Sequence, residues 1–184
     1  TEVARQLQEA KIISEPEKFV LLGRVLRKWK GLKTGEYLFS STMTPLEIFK
    51  TLASGISIRH PVTIREGENM FEAAQAFEAA GLIPQKSFLT LCRSPSFIRN
   101  LGFQDPLPQS LEGYLFPDTY FFTKFETAED IFRTLIKKYR SVWTQIRARY
   151  PREIQSLGLN DYEILTLASM IEKETGAPEE RPLI

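Results

Sequence analysis

"TPLEIFKTL" (residues 44–52) and "TAEDIFRTL" (residues 127–135) are near copies of one another within one chain of 184 residues. In each, a threonine stands three positions before a carboxylate: Thr44 before Glu47, and Thr127 before Asp130. That spacing lets hydroxyl and carboxylate cap the first turn of a helix reciprocally, less fully in the second copy because Asp is shorter than Glu. Pro45 suits the first helical position, where its missing N–H costs nothing. The likeness extends on both sides. "ARQLQEAKIISEPEKF" (4–19) pairs with "AQAFEAAGLIPQKSF" (74–88), each an amphipathic helix that ends in Ile and leads through Pro and a Lys-containing step to Phe. Leu7, Ala10 and Ile12 or Ile13 recur at helical spacing, as do Phe77, Ala80 and Gly81. "GEYLF" (35–39) pairs with "GYLF" (113–116). Three matches in the same order mark an internal duplication.

"EYLFS" and "GYLFPDTYFF" have strand composition, and "HPVTIREG" reads as a further strand that Gly67 turns into a helix starting near Glu68. Each copy therefore reads strand, helix, helix, strand and connecting helix, with the first strand of the first copy upstream of Thr1. The expected fold class is α+β. Two duplicated β-α-α-β units, residues 1–56 and 57–125, precede a mainly helical segment, residues 126–184. In that segment Ile131, Phe132, Leu135, Ile136, Tyr139, Val142, Trp143 and Ile146 form an apolar stripe at helical spacing, predicted to be a packing face rather than a ligand groove. Tyr150-Pro151 ends that helix. "PREIQSLG" makes a short helix, and Asn160 or Asp161 caps the last one.

A hydrophobic content of 42% with 26% charged residues is that of a globular protein, long enough to bury a core in one or two domains. The net charge of +1 provides no general attraction to nucleic acid. Arg24, Arg27, Lys28, Lys30 and Lys33, the densest basic group, read as a solvated face. Cys92 and His60 are each the sole residue of their type, so disulfide, zinc and triad chemistry lack partners. No apolar run is long enough to span a bilayer. The chain opens without Met, directly on a helical pattern, which leaves room for an anchor upstream.

The last helix ends in "SMIEKETGAPEERP" (169–182). Ile164, Leu167, Ala168, Met170 and Ile171 define its apolar side, with Glu172 and Glu174 on opposite flanks and Lys173 directed away. Glu174 follows Met170 and Ile171 by four and three positions and so projects over the buried edge. It also lies in the last turn before Thr175 and the C-cap Gly176, at the negative end of the helix dipole. Dipole and desolvation together would raise its pKa, as a general acid at neutral pH needs. The plainer reading of "EKE" is a solvated triplet at a helix end.

Two long motifs bear on that choice. "EGYLFPDTYFF" (112–122) and "LASMIEKETGAPEERPLI" (167–184) resemble the endolytic murein transglycosylases of the YceG-like family, with its EG-x-LFPDTY segment and its A-S-I-x-EKET element followed by an ER pair. "VTIREGENMFEAAQAFEAAGLI" (62–83) is similar to the family's LysM-like portion, and the resemblance covers essentially the whole chain. Met170 stands where Ile is commoner, and the family's continuation past this point is absent. The resemblance thus implies a chain cut within its catalytic domain and inactive alone, and makes 57–125 the LysM-like unit and 126–184 the start of the catalytic domain.

The resemblance implies a lytic transglycosylase that cuts the β-1,4 bond between N-acetylmuramic acid and N-acetylglucosamine inside peptidoglycan strands, leaving 1,6-anhydro ends. One carboxyl serves as acid and then base, with no metal or cofactor. Carried over, that carboxyl is Glu174, with Glu172 the alternative. Glu112, Asp118, Tyr120, Thr175, Glu180 and Arg181 are the implied substrate-binding residues. Against this, Asp118 reads as turn chemistry after Pro117, Tyr114 and Tyr120 as core, and Glu180–Arg181 as a surface ion pair. Expected partners are peptidoglycan strands and, by resemblance, cell-wall synthases. The expected location is the plasma or inner membrane, single-pass, with this region on the extracytoplasmic side. A non-catalytic peptidoglycan-binding or scaffold role is the alternative reading.

Overall fold

The computed structural model describes residues 2–26, 31–40 and 42–174. In chain order the elements are α1 (Glu2–Glu9), α2 (Pro16–Val25), α3 (Pro45–Ser54), β1 (His60–Ile64), α4 (Met70–Ala79) and α5 (Gln85–Cys92). There follow α6 (Pro95–Asn100), β2 (Asp118–Phe122), α7 (Ala128–Arg149), α8 (Pro151–Leu157) and α9 (Asp161–Glu174). β1 and β2 pair as a small antiparallel sheet, so the class is α+β. Two compact units result. The first draws on the span Thr1–His60 with Thr123–Phe125, the second on Pro61–Phe122 and the stretch from Glu126 onward. The segment drawn in sequence from 126 thus shares a unit with 61–122, because Ile131, Phe132, Leu135, Ile136 and Tyr139 of α7 are buried with the residues of β1, α4 and α5 in one core.

Within each unit the same helical hairpin recurs. α1 ends in a left-handed turn at Lys11 (φ 57°), where Ile12 N–H donates to Leu7 O at 2.9 Å and Lys11 N–H to Gln8 O at 2.8 Å. α4 ends likewise at Gly81 (φ 68°), with Leu82 N–H donating to Phe77 O at 3.1 Å and Gly81 N–H to Glu78 O at 2.9 Å. Both are Schellman turns, which satisfy the last carbonyls of a helix and reverse its direction. Ile12 and Ile13, like Leu82 and Ile83, therefore lie beyond the helix they were expected to end. Ala4, Leu7, Ile13 and Phe19 are buried in the first unit, as Ala74, Phe77, Ile83 and Phe88 are in the second. Ile48, Phe49 and Leu52 of α3 answer to Ile131, Phe132 and Leu135 of α7. The ring pairs correspond too, Phe19 with Phe49 at 5.9 Å and Phe88 with Phe132 at 4.6 Å. The predicted capping boxes are present at Thr44/Glu47 and Thr127/Asp130, and Asn69/Glu72 makes a third.

The strands differ from expectation. Residues 36–40 form no strand; Ile58 N–H donates to Glu36 O at 2.7 Å, and Leu38 is 82% exposed. Residues 112–114 form a turn, since Gly113 adopts φ 82° and Tyr114 N–H donates back to Leu111 O at 3.1 Å, and the strand begins only at Asp118. In the sheet, Val62, Ile64, Tyr120 and Phe122 face the core, while Thr63 and Thr119 exchange a hydroxyl hydrogen bond at 2.9 Å on the opposite face. Cys92 is fully buried in the same core, and burial pushes its thiol up to about 12. In the first unit, Glu36 receives His60 Nε2 at 2.7 Å and lies 3.5 Å from Lys124 Nζ, so the lone histidine has a structural partner.

A left-handed turn without glycine is strained by side-chain–carbonyl crowding. Lys11→Gly should therefore raise the unfolding free energy by about 0.5–1 kcal/mol, and Gly81→Lys should lower it by a similar amount. Urea titration of each variant checks both signs.

Candidate active site

The second unit carries a groove of about 730 Å³. Its walls are the later part of α7 (Tyr139, Val142, Trp143, Ile146), one face of α9, and the loops 66–69 and 109–117. α7 supplies a wall because its apolar stripe outlasts the core. Through Tyr139 the stripe is buried; beyond it Val142 and Trp143 are half-buried and Ile146 is 40% exposed. The stripe expected to be wholly a packing face therefore continues as a groove wall.

A cap at its start and three contacts with other elements hold α9 in place. At its start, Asn160 and Glu163 form a reciprocal cap, with Asn160 Oδ1 accepting from Tyr162 and Glu163 N–H at 3.0 Å each and Glu163 Oε2 accepting from Asn160 N–H at 2.7 Å. Next to it, Asp161 Oδ2 accepts from Trp143 Nε1 at 2.8 Å and from Arg147 Nη1 at 3.1 Å, joining α9 to α7. In the middle, a Cβ placed on Gly113 would lie 3.0 Å from Leu165 Cδ2, so the glycine permits a close approach of loop and helix. At the end, Lys173 Nζ donates to Gly67 O at 2.8 Å, tying the last turn of α9 to the loop after β1.

This placement decides which side chains of the final helix meet the groove. Tyr162, Ile164, Leu165, Thr166, Ala168, Ser169, Glu172 and Lys173 line it, linked by the three- and four-residue spacings of one broad helical face. Glu172 is half-buried there. Two residues on, Glu174 has turned by about 200°; it is exposed and does not line the groove. Lys173, expected to point away, follows Leu165 and Ser169 at four-residue spacing on this face and so reaches Gly67 O.

The "EGYLFPDTYFF" motif serves chiefly to build the wall. Glu112 lines the groove and its Oε2 accepts from Met70 N–H at 3.1 Å, at the start of α4. Phe116 and Pro117 line it as well. Tyr120 is buried and donates its hydroxyl to Phe116 O at 2.6 Å, and burial pushes that hydroxyl's pKa upward. Asp118 accepts from Lys138 Nζ at 2.7 Å and from Thr119 N–H at 2.8 Å, contacts that hold its carboxyl below the ordinary 3.8. Neither Tyr120 nor Asp118 lines the groove. Thr175, Glu180 and Arg181 lie outside the described residues. The groove thus brings together Glu112 and Glu172 of the expected set. It adds Trp143, Tyr162, Ser169 and Lys173; Trp143 had a sequence signal in its place in the stripe, Ser169 and Lys173 in theirs within the 167–184 motif, and Tyr162 had none. Among the described residues, no group of three or more His, Cys, Asp or Glu is arranged to hold a metal, and no helix is long and apolar enough to cross a membrane.

Gly113→Ala should destabilise the second unit by about 1–2 kcal/mol, since both the positive φ and the Leu165 contact oppose a side chain; thermal unfolding measures it. Asp118 stabilises the fold above its ordinary value of 3.8, and that contribution is lost as pH falls through the lower folded-state value. In Lys138→Met the carboxyl should titrate at higher pH yet remain below 3.8, because the Thr119 N–H persists, and an NMR titration of Asp118 reads the shift.

Comparison with known proteins gives a consistent result. An endolytic murein transglycosylase of Bacillus subtilis (strain 168) is 27% identical over 164 residues, covering 82% of this chain and 44% of the relative. Another from Streptococcus pneumoniae serotype 2 (strain D39) is 26% identical, covering 100% of this chain and 36% of the relative. The chain therefore spans less than half the length of these curated relatives. The crystal structure of a yceG-like protein from Listeria monocytogenes shares the fold, with a TM-score of 0.56 at 24% identity over 97% of this chain and 62% of that one. The YceG-like family itself matches residues 1–184, so this chain belongs to the YceG-like family.

Proposed function

We propose that this chain carries the acid–base carboxylate of an endolytic murein transglycosylase, and that Glu172 is that residue. The observation that supports Glu172 is its position, half-buried on the groove-facing side of α9. In this reading the carboxyl of Glu172 donates its proton to the glycosidic oxygen as the bond from C1 of N-acetylmuramic acid to N-acetylglucosamine breaks. The muramyl C6 hydroxyl oxygen then bonds to C1, and the carboxylate takes the hydroxyl proton. Atoms balance without water, the product is a 1,6-anhydro end, and the acid is regenerated. One carboxyl acting in both senses contrasts with the paired carboxylates of most glycosidases.

Glu174 is the second reading, supported by the family motif and its place at the helix C-terminus. The recurrent helical hairpins, with their matched Schellman turns, support a LysM-like origin for the units before α7. Extracytoplasmic location at a membrane, an upstream anchor and cooperation with synthases complete the proposal on family grounds. In the intact protein, Glu172→Gln should lower release of anhydro-muropeptides from purified sacculi by roughly 10²–10⁴-fold, with the thermal midpoint unchanged. Loss in Glu174→Gln with activity retained in Glu172→Gln would transfer the role to Glu174. Retention on insoluble peptidoglycan without any cleavage by the intact protein would favour glycan binding alone.

A further inference from the structure

The aromatic side chains of the second unit form a connected series that leads out of the core. Phe103 meets Tyr114 edge-on at 5.0 Å, Tyr114 meets Tyr139 at 5.1 Å, and Tyr139 lies parallel to Trp143 at 6.5 Å with 9° between the rings. Tyr114 and Tyr139 are buried in the core cluster, whereas Phe103 and Trp143, at the two ends of the series, are only half-buried, and Trp143 forms part of the groove wall. Its orientation is fixed twice over. Tyr139 sets the ring plane from the core side, and Asp161 Oδ2 receives the indole N–H at 2.8 Å. Arg147, 3.1 Å from the same oxygen, in turn fixes Asp161.

An indole whose N–H is already satisfied offers a ligand only its apolar π surface. A β-1,4-linked N-acetylhexosamine strand is a flat ribbon whose pyranose rings present faces of axial C–H groups, which suit such a plate. Tyr162, Ser169 and Glu112 stand around the same groove and offer the polar groups that ring hydroxyls and acetamides need. We propose that Trp143 is a sugar-stacking residue that binds one pyranose of a β-1,4-linked N-acetylhexosamine strand, and that Asp161 is its positioning residue. The inference deepens the proposed function and rests on its glycan substrate, but not on which carboxylate performs the chemistry.

The chain has two tryptophans, so Trp29→Phe leaves Trp143 as the only indole reporter. In that variant, titration with tetra-N-acetylchitotetraose should produce a saturable change in tryptophan emission, and maltotetraose, whose α-1,4 linkages curl the chain, should produce none. By calorimetry on the otherwise native chain, Trp143→Ala should weaken chitotetraose binding about tenfold or more, and Trp143→Phe by a smaller factor. Asp161→Ala should broaden the Trp143 emission and weaken binding while leaving the ring present. Trp143→Phe keeps an aromatic ring beside Tyr139, so its thermal midpoint separates loss of binding from loss of fold. In the intact protein Trp143→Phe should raise KM for glycan and leave kcat within a few-fold, unlike Glu172→Gln. An unchanged emission spectrum at saturating chitotetraose, or affinity in Trp143→Ala within about twofold of native, overturns the assignment. If the intact protein binds chitotetraose through Trp143 yet releases no anhydro ends, the reaction proposed above fails and the stacking site stands.

Discussion

The contact between Phe88 and Phe132, 4.6 Å between ring centroids, fixes α7 to the core of the second unit. Phe77 stacks on Phe88 from one side, and Phe97 meets Phe132 edge-on from the other. With its first turns held in this way, a helix of 22 residues extends about 33 Å and carries its direction beyond the core. One apolar periodicity therefore does two things. Where the core is present the stripe fills it, and where the core ends the stripe becomes a wall. α9 starts against that wall, joined to it by Asp161, and is tied to the loops 109–117 and 66–69 through Gly113 and Lys173.

Much of this organisation was legible in the sequence, because capping and burial depend on residues a few positions apart. Thr44 with Glu47 and Thr127 with Asp130 cap their helices as their spacing required, and Asn160 caps α9. The duplicated hairpins follow the same logic down to the bonds of their Schellman turns. Strands were less legible. "EYLFS" has the composition of a strand, but a strand needs a partner along its length, and Glu36–Ile58 is a single backbone bond. "GYLF" fails for another reason: Gly113 takes a positive φ and turns the chain where a strand would run straight.

The site was legible in its residue types and less so in its geometry. Asp118 and Tyr120 belong to a recognisable motif, yet an ion pair with Lys138 and a hydrogen bond to Phe116 O account for them. Glu112 joins the groove because the loop around Gly113 approaches α9, a long-range fact that no local spacing encodes. The difference between Glu172 and Glu174 is likewise one of azimuth. The apolar pattern placed them on opposite flanks, but which flank opens onto a groove depends on where α7 and the loop 109–117 lie.

Cys92 has a practical consequence. Its sulfur sits in the middle of the aromatic core, with no exposed surface and a thiol that stays protonated far above neutrality. Since it is the sole cysteine of the chain, a cysteine introduced on the surface becomes the one thiol that alkylating reagents can reach in the folded protein. Spin labels or fluorophores can then be attached at chosen points, α8 or the rim of the groove for example, without first building a cysteine-free background. Reaction at Cys92 itself would report opening of the core.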